Sequence, residues 1–318
     1  MKVVCIGEML IDFVCTDIDA GLITGEQFVK KPGGAPANVA AAVGRLGGDV
    51  LFFSAVGDDA FGHFLVKEIM QYGVDVSHIQ YTATPTTLAF VSLANDGERD
   101  FIFNRGADAE LVLSPEQQTL IDKDTVLHLG AATALLDGPL FNTYTAVARQ
   151  ASLQGNIISF DPNYRADLWP GQAHEFVARC QPFLDVAHMV KVSEEELTLL
   201  TGQADYVLGA AALLKHGVQL VFVTLGSQGC FVATPDTHFI VPAYKIDALD
   251  STGAGDAFIG TMLQQIASVG HLPCEPAAVT DMVRYASKVS AIVCTKMGAM
   301  NAIPTPQEVE KFVFKPNN

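Results

Sequence analysis

The nine residues Asp250-Ser251-Thr252-Gly253-Ala254-Gly255-Asp256-Ala257-Phe258 run directly into an apolar helical pattern carried by Ile259, Met262 and Ile266. Glycines at a helix start leave backbone amides accessible, and the helix dipole places fractional positive charge at the same end. Gly253, Ala254 and Gly255 can therefore close around a phosphoryl oxygen. Asp256, in the first helical turn, then stands beside that group, where a carboxylate can accept the proton of an attacking hydroxyl. A capping aspartate after a glycine turn has the same local pattern, so the four residues from Gly253 to Asp256 leave both readings open.

The sequence around this string alternates between two kinds of segment. Short apolar runs read as buried strands: Lys2 to Ile6, Val50 to Ala55, Thr125 to Gly130, Ile157 to Asp161, Met189 to Val192 and Leu220 to Thr224. Between and after them lie helix-like stretches at 35–46, 62–72, 140–154, 194–201, 205–216, 256–269 and 279–293. Strand then helix, repeated, predicts an α/β fold with a doubly wound, mostly parallel sheet and ligands at the carboxyl ends of its strands. Two stretches break the rhythm, Asp12 to Lys31 and Thr86 to Asn104. In the second, the turn Asn95-Asp96-Gly97-Glu98 separates two alternating runs and signals a hairpin. These insertions predict a small antiparallel sheet standing off the main one, as a lid over a crevice.

Two further strings carry polar groups where such a crevice would lie. Pro32-Gly33-Gly34-Ala35-Pro36-Ala37-Asn38 precedes a small-residue helix. Gly33 and Gly34 permit close approach and Asn38 offers both donor and acceptor, which suits neutral hydroxyls; a glycine turn before a tightly packed helix is the other reading. Asp161-Pro162-Asn163-Tyr164-Arg165-Ala166-Asp167-Leu168-Trp169 follows a strand. Arg165 there is free either to face a ligand or to pair with Asp161 or Asp167.

Composition narrows the classes. The chain has 318 residues, 49% of them hydrophobic, and a formal net charge of −16 without a basic patch. That charge disfavours nucleic acid, while leaving small anions open through local donors and a divalent cation. The six cysteines form no metal-ligand spacing and read as reduced thiols of a cytoplasmic protein. Glu8 and Asp12 interrupt the apolar N-terminus, and no membrane segment is expected. A nicotinamide-dependent reductase would need the G-x-G-x-x-G fingerprint, which is missing.

The 250–258 string closely resembles the C-terminal signature of the ribokinase-like (PfkB) carbohydrate kinases, with serine at 251 where threonine is common in that family. Gly7-Glu8-Met9-Leu10-Ile11-Asp12, taken with the cluster from Gly33 to Asn38, looks like the family's N-terminal signature. The resemblance covers the chain from Gly7 to about Gly298 and implies one kinase domain over 1–318, its lid formed by about 12–35 and 86–105. It implies that Asp12, Gly33, Gly34 and Asn38 hold sugar hydroxyls, that Asp256 is the general base, and that the 253–255 amides stabilise the transferring phosphoryl group. The 161–169 segment resembles that of bacterial fructokinases, which implies that Arg165 reaches substrate or phosphoryl group. Phe101, Phe103 and Arg105, leaving the second lid run, are expected to close over the sugar; the aromatics alternatively pack within the lid. Lys191-Val192-Ser193-Glu194-Glu195-Glu196 stands where the family has N-x-x-E, with Ser193 replacing the Asn and Glu196 implied to meet magnesium through water.

Lys191, Ser193, Thr224, Gly226 and Gly229, with Gly253 and Gly255, are the implied ATP contacts. Asp250, Thr252 and Gly298 match a loop that holds a monovalent cation, potassium, in several relatives. The expectation is an ATP- and magnesium-dependent sugar kinase, a homodimer, acting on fructose. Aminoimidazole riboside or another sugar or nucleoside accepted by the family is the alternative substrate. A sugar-binding sensor without chemistry is the alternative of a different class, and Asp256 argues against it.

Overall fold

The computed structural model describes residues 1–17, 20–93 and 99–314. The expected turn at 95–98 and the terminal stretch Lys315-Pro316-Asn317-Asn318 lie outside them. In chain order the strands are β1 Lys2–Ile6, β2 Leu10–Cys15, β3 Phe28–Gly33, β4 Val50–Phe53, β5 Ala55–Gly57, β6 Gln80–Thr82, β7 Leu88–Leu93, β8 Arg99–Asn104, β9 Thr125–Gly130, β10 Ile157–Asp161, β11 Met189–Ser193, β12 Leu220–Thr224, β13 Cys230–Ala233 and β14 His238–Val241. The helices are α1 Ala35–Arg45, α2 Ala60–Met70, α3 Pro115–Gln118, α4 Pro139–Gln154, α5 Ala173–Leu184, α6 Glu194–Thr201, α7 Tyr206–Leu214, α8 Ala254–Val269, α9 Pro276–Cys294 and α10 Pro306–Lys311.

Eight strands form one sheet in the order β14-β13-β12-β11-β10-β9-β1-β4, all running the same way except β13, which is antiparallel to both of its neighbours. The apolar strand runs follow from burial on both faces. In β4, for example, Phe52 enters a core shared with α1, α8 and α9, while its neighbour Phe53 points into a second core shared with α4, α5 and α7. The chain leaves β1 in one direction to β4 and later returns on the other side with β9. The gap past the ends of β1 and β9 is thus a topological switch point, where ligand crevices form.

The second sheet, β3-β2-β7-β8, departs from the expected pattern at its centre. Its outer pairs are antiparallel, but β2 and β7 run parallel, with Asp12 opposite Ala89. The reason is topological: β2 and β7 are joined by a long excursion through the main sheet, so no hairpin dictates their direction.

Helices α1 and α8 lie against each other at unusually short range. A Cβ at Gly260 would sit 2.7 Å from Ala42 Cβ and 2.8 Å from the Val39 carbonyl oxygen. Only a residue without a side chain permits that approach.

Candidate active site

The α1–α8 contact brings the two glycine strings together. Asn38 Nδ2 donates to Asp256 Oδ2 at 2.9 Å, linking residues 218 positions apart in a buried hydrogen bond. Asp256 occupies the first turn of α8, whose N-cap Gly253 has φ 76°. A side chain at Gly253 would be doubly unfavourable, since it would be left-handed and its Cβ would meet Ala299 Cβ at 2.4 Å. The first-turn amides beyond it have no intrahelical acceptor by geometry. Ala254 N is the exception, donating to the Ser251 carbonyl at 3.2 Å. Of the three amides expected to cradle a phosphoryl group, that of Ala254 is thus already engaged.

Burial drives the Asp256 carboxyl upward from its ordinary range, opposed by Asn38, Lys191 and Arg165 and reinforced by Asp161. A carboxylate so placed is a better proton acceptor than an exposed one. Asn38 Oδ1 is buried and has no hydrogen-bond partner among the described residues. An acceptor left open beside the candidate base suits a substrate hydroxyl.

Asp12 approaches from the second sheet. Its carboxylate lies against Gly33, where a Cβ would fall 2.1 Å from Oδ2, so the glycine makes room for the acid. Removal from water pushes Asp12 up to about 6, with Arg165 acting in the opposite direction. Register places Ala89 and Phe103 beside Asp12 on the same face of the sheet, and Phe101, one pair further along, stacks on Phe103 at 6.0 Å. Arg165 is exposed, donates to the Tyr164 carbonyl at 2.9 Å and acts electrostatically on both Asp12 and Asp256. Asp161 is bonded to Lys191 instead, Nζ to Oδ2 at 2.8 Å.

Arg105, expected to close over the sugar, is tied to the loop after β9 in this structure. Its Nη1 and Nη2 donate to the carbonyls of Asp137 and Thr133 at 2.6 and 3.1 Å, and its Nε lies 3.5 Å from Asp108 Oδ2. The guanidinium is a strut for the loop after β9. Behind it lies an acid pair that sequence reasoning missed. Thr133 Oγ1 is 3.3 Å from Glu8 Oε2 and 2.8 Å from Asp108 Oδ2, and Glu8 Oε1 accepts from Ala35 N. Burial raises Glu8 to about 8, and the neighbouring Asp108 acts in the same direction. No local pattern announces this pair, because its members meet only in the folded chain.

On the other side, Glu196 forms a capping box with Ser193 at the start of α6. Its Oε2 accepts from Ser193 N at 2.7 Å and its Oε1 from Tyr164 N at 2.8 Å. The acid therefore fixes the 161–165 segment, in which Asn163 has φ 51°, the left-handed conformation. The spacing Ser193-x-x-Glu196 was a readable signal for the cap. Thr224 pairs with Ser193 across β11 and β12, followed by Gly226 and Gly229, both at positive φ. Asp250, Thr252 and Gly298 converge: Asp250 Oδ1 accepts from Thr252 N and Oγ1, and Oδ2 from Gly298 N at 2.7 Å.

A family model described as "pfkB family carbohydrate kinase" matches residues 1–306. The chain is 39% identical to "Probable fructokinase-4" of Arabidopsis thaliana over 98% of its length and 96% of that protein. It is 38% identical to "Fructokinase-1" of Zea mays, over 98% of both chains. A crystal structure of Vibrio cholerae O395 fructokinase, in fructose-, ADP- and calcium-bound form, superposes with TM-score 0.85 at 32% identity over 98% of both chains. Aminoimidazole riboside kinase from Salmonella enterica, complexed with its riboside and an ATP analogue, gives TM-score 0.84 at 28% identity, covering 98% of this chain and 99% of that one.

Proposed function

The chain belongs to the pfkB family of carbohydrate kinases, and on that premise we propose that it transfers the γ-phosphoryl group of ATP to a hydroxymethyl group of fructose. Full-length identity of 38–39% to plant fructokinases supports fructose over aminoimidazole riboside, whose kinase is 28% identical. The observation that carries the reading is the 2.9 Å bond from Asn38 to Asp256, because it joins the candidate sugar site to the candidate phosphoryl site at one carboxylate.

In this reading Asp12 and Asn38 hold sugar hydroxyls under the second sheet, which acts as the lid with Phe101 and Phe103 on its inner face. Asp256 takes the proton from the attacking hydroxyl, while the amides of α8 receive the charge of the transferring group. Arg165, within electrostatic reach of both acids, steadies substrate and phosphoryl group. The nucleotide lies along the ends of β11 and β12, past Ser193, Thr224, Gly226 and Gly229.

Among the described residues no three His, Cys, Asp or Glu side chains are grouped to hold a metal. Magnesium would then be held mainly by the ATP phosphates and water and would neutralise phosphate charge, with Glu196 the acid that the family resemblance implies for an outer contact. The Asp250 carboxylate and the Thr252 hydroxyl, brought against Gly298, supply oxygens of the kind that would hold potassium. Six unpaired cysteines support a reducing, cytoplasmic setting, and no single described helix is long and apolar enough to cross a membrane. We expect a homodimer through the lid, checked by light scattering.

The test is ADP release with magnesium and ATP, comparing fructose, aminoimidazole riboside, ribose, adenosine and 2-keto-3-deoxygluconate at matched concentrations. A preference for fructose is expected. Preference for another acceptor would overturn the substrate assignment, and ADP release with none would favour a binding-only protein.

A further inference from the structure

Lys191 is buried at the end of β11, 7% exposed, with its ammonium bonded to Asp161. A Cβ at Gly255 would lie 3.1 Å from Lys191 Nζ and 3.4 Å from Cε. The ammonium therefore sits directly beneath the first turn of α8, under the amides assigned above to the phosphoryl group. A buried ion pair is expensive to desolvate and is weak evidence of a stabilising role. Two further features point to a task beyond stability. Asp161 Oδ1 is buried without a hydrogen-bond partner among the described residues, so the pair is not fully satisfied. The ammonium also carries three donors, of which this carboxylate oxygen takes one.

We infer that Lys191, held in place by Asp161, is a positioning residue for phosphoryl transfer: a fixed positive charge under α8 that draws the transferring group onto the helix and keeps Asp256 ionised. The inference rests on the kinase reading and replaces direct nucleotide contact as the role of Lys191. ATP above Gly255 meets its field rather than its side chain. The groups acting on Asp256 are Asn38 from α1, Lys191 from β11, and Asp161 and Arg165 from β10 and the segment after it. His128, on β9, is pushed down to about 3 by burial and by Lys191, and stays neutral. Burial pulls Lys191 down, but Asp161, Glu196 and Asp256 outweigh it and hold the ammonium charged.

The two partners act on Asp256 with opposite sign, which separates this role from a merely structural tie. The test is the pH profile of kcat/KM for fructose in wild type, K191M, D161N and the K191M/D161N double variant, with melting curves to identify any variant that does not fold. K191M is expected to move the acidic limb to higher pH and to lower kcat about 10- to 100-fold, with the KM for ATP within about threefold. D161N is expected to move the limb to lower pH. The double variant removes both charges, so it avoids leaving Asp161 unpaired and remains informative if K191M unfolds; its kcat is expected to stay low. Wild-type kcat in the double variant, or an unmoved limb in D161N, would overturn the inference. Failure of the kinase reading would appear separately, as wild-type protein that phosphorylates no acceptor.

Discussion

Helices α1 and α8 begin alike in sequence, each with glycine before a small-residue turn, and lie side by side, yet their N-termini are prepared for different guests. The start of α1 is already occupied from within: Glu8 Oε1 accepts from Ala35 N, and Gly34, at φ 107°, brings the chain against the Glu8 carbonyl. The start of α8 receives no such side-chain cap among the described residues and has the Lys191 ammonium below it. A filled positive end leaves its surroundings to neutral hydroxyls, whereas an open one backed by a cation attracts an anion. Glycine before a helix is thus not itself a phosphate site; what already caps the amides decides.

The sharpest way to break this comparison is at the acid the two helices share. Asp256→Asn is expected to lower kcat by about 10²- to 10⁴-fold while sugar and ATP binding, read by calorimetry, stay near wild type. Equal losses in binding and turnover would show that Asp256 builds the pocket rather than serving as base. On the sugar side, Asp12→Asn is expected to raise the KM for fructose about 10- to 100-fold, the scale of lost charge-assisted hydrogen bonds. Because Asp12 is raised to about 6, its ionised form is lost as pH falls through that value. Wild-type KM should therefore climb below about pH 6, and this climb should be absent in the variant.

Gly253→Ala tests the open helix end. An L-residue in the left-handed region costs about 1–2 kcal/mol before the clash with Ala299 is counted, so kcat/KM for ATP is expected to fall about tenfold or more. The smallest effect on turnover belongs to the filled end. Glu8 is raised from 4.5 to about 8, so its contribution to stability is complete below its unfolded value and is lost as pH rises through about 8. Urea midpoints of the ligand-free protein should decline across that window in wild type, and Glu8→Gln should flatten the decline with kcat changed less than about threefold.

What could be read from sequence divides along the same line as these helices. The strands Thr125–Gly130, Ile157–Asp161 and Leu220–Thr224 were legible to the residue, because burial on both faces demands unbroken apolar runs. The meeting of the two glycine strings left a trace in the sequence, because close backbone approach demands small residues. The parallel pairing of β2 with β7 was not, since direction there is set by a crossover rather than by a turn. Helix α5 was passed over, with Pro182 inside it and a polar face throughout. The strut made by Arg105 spans 28 positions to Thr133, and Glu8 lies 125 positions from that same threonine; nothing in their flanks encodes either meeting.

The closeness of Gly260 to Val39 and Ala42 leaves no slack between the two helices. Asn38 and Asp256, one on each, are consequently held at a constant span whatever the second sheet does above them. Such a span works as a ruler. On the proposed roles, an acceptor would be measured by whether its hydroxyl arrives at the base when the rest of the ring is seated on Asn38, so regiochemistry would belong to the rigid floor and ring identity to the sheet above it. Altering which sugar is taken and altering which hydroxyl is modified then become separable changes, made in different parts of the molecule.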